Sequence, residues 1–137
     1  MTPMPPNTQN KIELKNVTKS FGSKKVLQGV DLAVPKGSSM VIIGGSGTGK
    51  SVTLKCVLGL IQADSGSILI DGVETVGASA RARDELMQKF GMLFQGGALF
   101  DSLPVWHNVA FGLIHGNKAM NKRDAKILAV EKLDAVG

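Results

Sequence analysis

An α/β fold is predicted from three observations: a short apolar run at residues 39–43 (SMVII), the glycine-rich octapeptide GGSGTGKS at residues 44–51, and an apolar helical stretch from Val52 to Ile61. A continuous apolar run of strand length suits a parallel strand buried on both faces. In the stretch that follows, Val52, Leu54, Cys56, Val57, Leu58, Leu60 and Ile61 leave only a narrow polar side. Strand, glycine-rich turn and helix therefore come in the order in which a helix N-terminus is delivered to an anionic ligand.

The octapeptide fits the phosphate-binding pattern G-x-x-x-x-G-K-[S/T], with Gly44, Gly49, Lys50 and Ser51 on the required positions. A polyphosphate has to be wrapped by backbone N–H groups, and side chains on the loop would hold the backbone away from it. Glycine at 44, 45, 47 and 49 removes that obstacle, with Ser46 and Thr48 between them. In such a loop Lys50 places an ammonium on the β- and γ-phosphates of a nucleoside triphosphate, and the Ser51 hydroxyl ligates Mg²⁺. A dinucleotide fold would need G-x-G-x-x-G, and Gly45, Gly47 and Gly49 have the wrong spacing.

The flanking elements follow from their own patterns. Residues 1–10 are polar and proline-rich without a hydrophobic core and read as a flexible lead-in. In residues 11–15 Ile12 and Leu14 alternate with charges, as in a half-exposed strand, and residues 21–25 (FGSKK) read as a turn. Val30, Leu32 and Val34 make a second strand, closed by Pro35 and Gly37. Residues 68–70 lie between the turn signals Asp64-Ser-Gly66 and Asp71-Gly72 and supply a third strand of the same antiparallel sheet.

A helix is expected over residues 80–89, a buried strand over 90–94 ending at Gln95, and a break at Gly96-Gly97. Residues 98–113 are apolar and aromatic, with Pro104 suited to a helix start. Asn121 can cap a last helix, whose apolar side is Ala125, Leu128, Ala129, Leu133 and Val136, with Gly137 as its C-terminal cap.

The chain of 137 residues is long enough for a domain with a core, and its formal charge of +5 suits a phosphate ligand or an anionic membrane surface and equally a solvated surface with no partner. No nucleic-acid motif or aromatic-basic interleaving accompanies that charge. Cys56 has no partner for a disulfide and reads as a small buried side chain, which fits a reducing compartment. No stretch reaches the ~20 apolar residues that span a bilayer. His107 and His115 have no metal-ligand spacing and read as surface or packing residues, and the charges from Lys118 to Lys126 read as a solvated helix face.

Taken together, the sheet with Phe21 before Gly22, the loop and its helix, the two Asp-Gly turns and the strand ending in Gln95 resemble the N-terminal part of an ABC-transporter ATPase, from about Ile12 to the last residue. The resemblance implies a P-loop NTPase (RecA-like) core, an N-terminal antiparallel β subdomain, and the start of a helical subdomain at about 102–137, with the C-terminal half of the domain absent. It implies ATP and Mg²⁺ as cofactors. Phe21 matches the aromatic that stacks on adenine, and Gln95 matches the glutamine that reaches Mg²⁺ and the attacking water. Val52 stands where many members have a hydroxyl residue, so a side-chain bond from there to the α-phosphate is lost while the backbone N–H remains.

The partners implied are a transmembrane permease subunit and a second copy of the ATPase, working peripherally at the cytoplasmic face of the inner membrane. Leu99, Phe100 and Trp106 are the residues expected on the permease-facing surface. Within the family, residues 92–100 (MLFQGGALF) and 49–52 are similar to the ATPase subunit of Mla-type phospholipid transporters. An ATPase of another ABC importer and a non-catalytic nucleotide-binding module are the alternative readings. These residues include no LSGGQ-type signature, no apolar strand ending in Asp-Glu and no switch histidine, so the chain alone is expected not to turn ATP over.

Overall fold

The computed structural model describes residues 9–116 and 118–137. The chain divides into two compact units, one ending at Gly91 and the other Met92–Gly137.

The first unit is organised on a four-stranded antiparallel sheet, β1 (Asn10–Phe21), β2 (Lys24–Pro35), β3 (Ser65–Ile70) and β4 (Val73–Glu74), in the order β2-β1-β3-β4. The first two strands are much longer than their alternating patterns predicted, and the turn between them shrinks to Gly22 and Ser23. Phe21 and Lys24 thereby become direct cross-strand partners. The pattern understated β1 because a register shift between Leu14 and Val17 interrupts its period of two. Asn16 sits there at φ 50, and its N–H donates to Asp31 Oδ1 at 2.7 Å. The shift puts both Leu14 and Val17 in the core. The short β4 was not anticipated; it closes on β3 through the Asp71-Gly72 turn.

Of the lead-in expected at 1–10, residues 1–8 lie outside the described residues. Asn10 already belongs to β1, and Gln9 takes hydrogen bonds from Lys36.

The core joins Leu14, Val17, Leu27, Ile68 and Ile70 of the sheet to Cys56 and Val57 of α1 (Lys50–Val57) and Leu86 of α2 (Ala80–Met87). Cys56 is buried as expected, and burial pushes its thiol pKa up. Helix α1 is shorter than the 52–61 pattern because Gly59 turns left-handed at φ 71, and the N–H groups of Leu60 and Ile61 fold back on the Lys55 carbonyl. Ser79 caps α2 by accepting from the Ala82 N–H at 3.2 Å.

Two expected strands do not form. Residues 39–43 carry no ladder and are exposed, Val41 at 82% and Ile43 at 88%. Residues 90–94 are likewise irregular, with Leu93 at 86%. A parallel strand needs neighbours to satisfy its backbone and cover its faces. Among the described residues neither segment has one.

The second unit pairs α3 (Val105–His115) with α4 (Lys122–Val136) over a small core of Ala110, Ala125 and Ala129. Pro104 stands at the start of α3, and Asn121 caps α4 by accepting from the Asp124 N–H at 2.9 Å. Trp106 is partly buried: one side packs on the alanine core, with the Lys126 ammonium 5.2 Å from its ring centre. Lys126 stays exposed on the solvated face expected of that helix while making this contact. Leu99 and Phe100 remain exposed. His107 and His115 stack at 6.0 Å between Trp106 and Phe111, which makes them packing residues.

Candidate nucleotide site

The glycine-rich loop leaves residue 43 and closes on α1 with Gly49 at φ 95, a conformation that glycine adopts without strain. Gly49 is buried against β2, where an added Cβ would stand 2.9 Å from Leu27 Cδ2 and 3.3 Å from the Val26 carbonyl oxygen. The hairpin thus supports the loop from below. Thr53 fixes the junction from the helix side, its N–H and Oγ1 both donating to the Gly49 carbonyl at 2.9 and 2.8 Å.

Gly49 has no side chain to cap α1, and the N–H groups of Lys50, Ser51 and Val52 have no helical acceptor. They form the positive end of the helix, beside a cleft of about 580 Å³ lined by Phe21, Lys24, Val26 and the loop from Ser46 through Val52. Lysines are the only charged residues in that lining. The volume, the N–H donors and the positive charge suit a polyanion of nucleotide size.

Lys50 is folded onto its own loop. Its Nζ donates to the carbonyl oxygens of Gly44 and Gly45, each at 2.6 Å, and lies 3.3 Å from Thr48 Oγ1. Thr48 Oγ1 in turn donates to the Gly45 carbonyl at 2.8 Å. These bonds hold the ammonium at the loop, where an incoming phosphate offers it stronger, charged acceptors.

Phe21 is 49% exposed at the end of β1. The Lys19 ammonium lies 5.4 Å from its ring centre and pairs with Asp64 Oδ1 at 3.1 Å. Asp64 Oδ2 also accepts from the Ser20 N–H at 2.7 Å. That backbone bond first, and Lys19 second, hold the Asp64 carboxyl below its ordinary pKa. Through Asp64 the turn before β3 is tied to the strand that presents Phe21.

The cleft therefore brings together Phe21, Ser46, Gly47, Thr48, Gly49, Lys50, Ser51 and Val52, with Gly44 and Gly45 holding the lysine. Val52 also packs on the core, which accounts for an apolar residue there. Gln95 belongs to the second unit, in an exposed turn where the Gly97 N–H donates to the Phe94 carbonyl at 3.0 Å. Lys24 lies in residues 21–25, which read as a turn, and Val26 falls between that turn and the strand read from Val30, so neither was assigned to the site. The two-residue reverse between Phe21 and Lys24 was the signal that would have placed Lys24 in a strand.

For a divalent cation the side chains lining the cleft offer only uncharged oxygen donors, the hydroxyls of Ser46, Thr48 and Ser51, and no cluster of three acidic, histidine or cysteine side chains occurs among the described residues. This donor set fits Mg²⁺, which takes hard oxygen ligands from phosphates and water and few from protein. No helix among the described residues is long and apolar enough to cross a membrane.

The chain is similar to known proteins in sequence and fold. The chain is 45% identical over 128 residues to the probable ribonucleotide transport ATP-binding protein mkl of Mycobacterium leprae (strain TN), covering 92% of this chain and 36% of that protein. It is 40% identical over 128 residues to the chloroplastic protein TRIGALACTOSYLDIACYLGLYCEROL 3 of Arabidopsis thaliana, again covering 92% and 36%. Among solved structures, the dimeric bacterial ABC transporter cassette MJ0796 superposes with a TM-score of 0.77 at 31% identity, over 90% of this chain and 56% of that one. A post-hydrolysis form of the same cassette bound to ADP and Pi gives 0.76 at 30% identity, over the same shares of the two chains. The chain thus spans about a third of the length of these curated relatives. The sequence model of the family described as ABC transporter matches residues 27–136, and the chain belongs to the ABC transporter family as part of its ATP-binding domain.

Proposed function

We propose that this chain is the nucleotide-binding part of an ABC-transporter ATPase subunit, holding Mg·ATP in the cleft between Phe21 and the loop. The carrying observation is the Lys50 ammonium held by two loop carbonyls beside free N–H donors of α1. In this reading the backbone from Gly45 to Ser51 cradles the phosphates, and Lys50 turns from the carbonyls of Gly44 and Gly45 to the β- and γ-phosphates. Phe21 stacks on the base, and Val52 contributes its N–H but no hydroxyl. Mg²⁺ bound by Ser51 supplies charge neutralisation on the phosphate oxygens. Gln95 orients the water that attacks the γ-phosphate in the complete protein.

The family and the dimeric cassettes support two further steps: a second copy closes over the nucleotide, and a permease subunit at the cytoplasmic face of the inner membrane uses the resulting motion. The similarity of residues 92–100 to the Mla-type subunit favours phospholipid as the cargo. Calorimetric titration with Mg·ATP tests the core of this reading. Lys50→Ala is expected to abolish binding or weaken it severely, and an unchanged affinity would overturn the assignment.

A further inference from the structure

Resting on that reading, we infer that Lys24 is a nucleotide-binding residue whose ammonium takes the α-phosphate, in place of the hydroxyl that position 52 lacks. Three observations meet at this side chain.

Lys24 is the direct cross-strand partner of Phe21 across the turn Gly22-Ser23, and it lines the same cleft as the loop. Directly opposed residues of an antiparallel pair project to one face with Cβ atoms about 5 Å apart. The ammonium is therefore carried beside the Phe21 ring and not behind the sheet. Lys24 also makes no ion pair among the described residues, whereas Lys19, two residues before Phe21, is engaged by Asp64. It faces a cleft without a carboxylate, so its charge is available to a ligand.

With the base on Phe21 and the β- and γ-phosphates at Lys50, the intervening part of the nucleotide carries one anionic group, the α-phosphate. A lysine on the nucleoside side of the cleft has no other charged group to meet. Val52 at the start of α1 supplies an N–H there but no side-chain donor. A flexible cation arriving from the hairpin meets that need, as a point charge requiring no fixed fork geometry.

The test is calorimetric titration of the unmodified chain, Lys24→Gln, Lys24→Ala and Lys50→Ala with Mg·ADP and Mg·ATP at low and high salt. Because Lys24 is exposed at the edge of a turn, Lys24→Gln is expected to keep the fold, checked by an unchanged melting curve. The expected result is a loss of about three- to tenfold in affinity in both Lys24 variants, equal for ADP and ATP, with a shallower salt dependence. Lys50→Ala is expected to weaken ATP more than ADP.

Unchanged affinity in folded Lys24→Gln, while Lys50→Ala still loses binding, overturns the inference and leaves the proposed function standing. A Lys24 loss confined to ATP overturns the assignment to the α-phosphate. Absence of nucleotide binding by the unmodified chain overturns the proposed function and this inference with it.

Discussion

The Lys19 ammonium lies 5.4 Å from the centre of the Phe21 ring, on a side chain held by Asp64 at 3.1 Å. A cation over one face of an aromatic ring restrains the ring and leaves the other face for a ligand. Asp64 is then a positioning residue, two contacts away from any base that stacks on Phe21. Asp64→Asn preserves size but removes the charge on which Lys19 rests, and it is expected to weaken ATP affinity about two- to fivefold. Phe21→Ala removes the platform itself and is expected to weaken it about tenfold or more. Titration calorimetry on both variants decides the point: equal affinity in Asp64→Asn and the unmodified chain removes Asp64 from the site.

Gly49 and Gly47 both have positive φ, 95 and 78, but different surroundings. A methyl at Gly49 meets Leu27 Cδ2 at 2.9 Å and the Val26 carbonyl oxygen at 3.3 Å, whereas at Gly47 it meets nothing within 4 Å. Gly47→Ala carries only backbone strain, about 1 kcal/mol. Gly49→Ala adds a clash with β2, for a total of about 2–4 kcal/mol. Thermal unfolding followed by circular dichroism should rank them in that order, and an equal loss would show that the hairpin does not brace the loop.

Much of the site was legible before the fold. GGSGTGKS has the spacing of the phosphate-loop pattern, and the structure lines the cleft with residues 46–51 of it; Asn121 and Pro104 are local signals that tertiary packing did not override. Lys24 was illegible because Phe-Gly-Ser-Lys-Lys reads as a loop until Phe21 and Lys24 are known to pair. The apolar runs at 39–43 and 90–94 have the composition of buried strands without the structure of one. Composition reports a preference for being covered, and a strand also needs a neighbour's backbone. Trp106 looked like a docking aromatic because density of aromatics does not say which ones the alanines of α4 cover. In the first unit, the tie from Asp71 to two lysines was invisible because its partners stand far away in sequence.

That tie predicts a pH dependence. Asp71 Oδ2 lies 2.8 Å from Lys89 Nζ and 2.9 Å from Lys11 Nζ, joining the turn after β3 to the start of β1 and the segment after α2. The Lys89 ammonium foremost, then Lys11, holds the Asp71 carboxyl at about 2, below its ordinary 3.8. A carboxyl depressed in the folded state stabilises the fold above its unfolded pKa, and that contribution is lost as pH falls through the folded pKa. Stability should therefore decline from about pH 4 to about pH 2 through this group and be insensitive to it at neutral pH. Asp71→Asn suits the φ of 51 at this position. It should lower the urea midpoint at pH 7 and flatten the acid limb, and an unchanged acid limb would show that the two lysines do not set the carboxyl.

Asn108 predicts a local effect in the second unit. From the first turn of α3 its Oδ1 accepts the Phe100 N–H at 2.7 Å, while its Nδ2 donates to the carbonyls of Phe100 at 3.1 Å and of Leu103 and Pro104 at 3.2 Å. One amide thus organises the irregular stretch before the helix, and no hydrophobic pattern advertises such a residue. Asn108→Ala leaves the Phe100 N–H and three carbonyls to water, so the loop loses order while the alanine core of α3 and α4 is untouched. Amide hydrogen exchange at Phe100 is expected to accelerate about tenfold or more, the equivalent of one to two lost bonds. The amides of Ala125 and Ala129 serve as controls and should keep their rates. If all of these amides accelerate together, Asn108 supports the whole unit; if Phe100 does not change, the loop is held by the exposed Phe100 ring against Phe111, whose centres are 4.7 Å apart, and not by the amide.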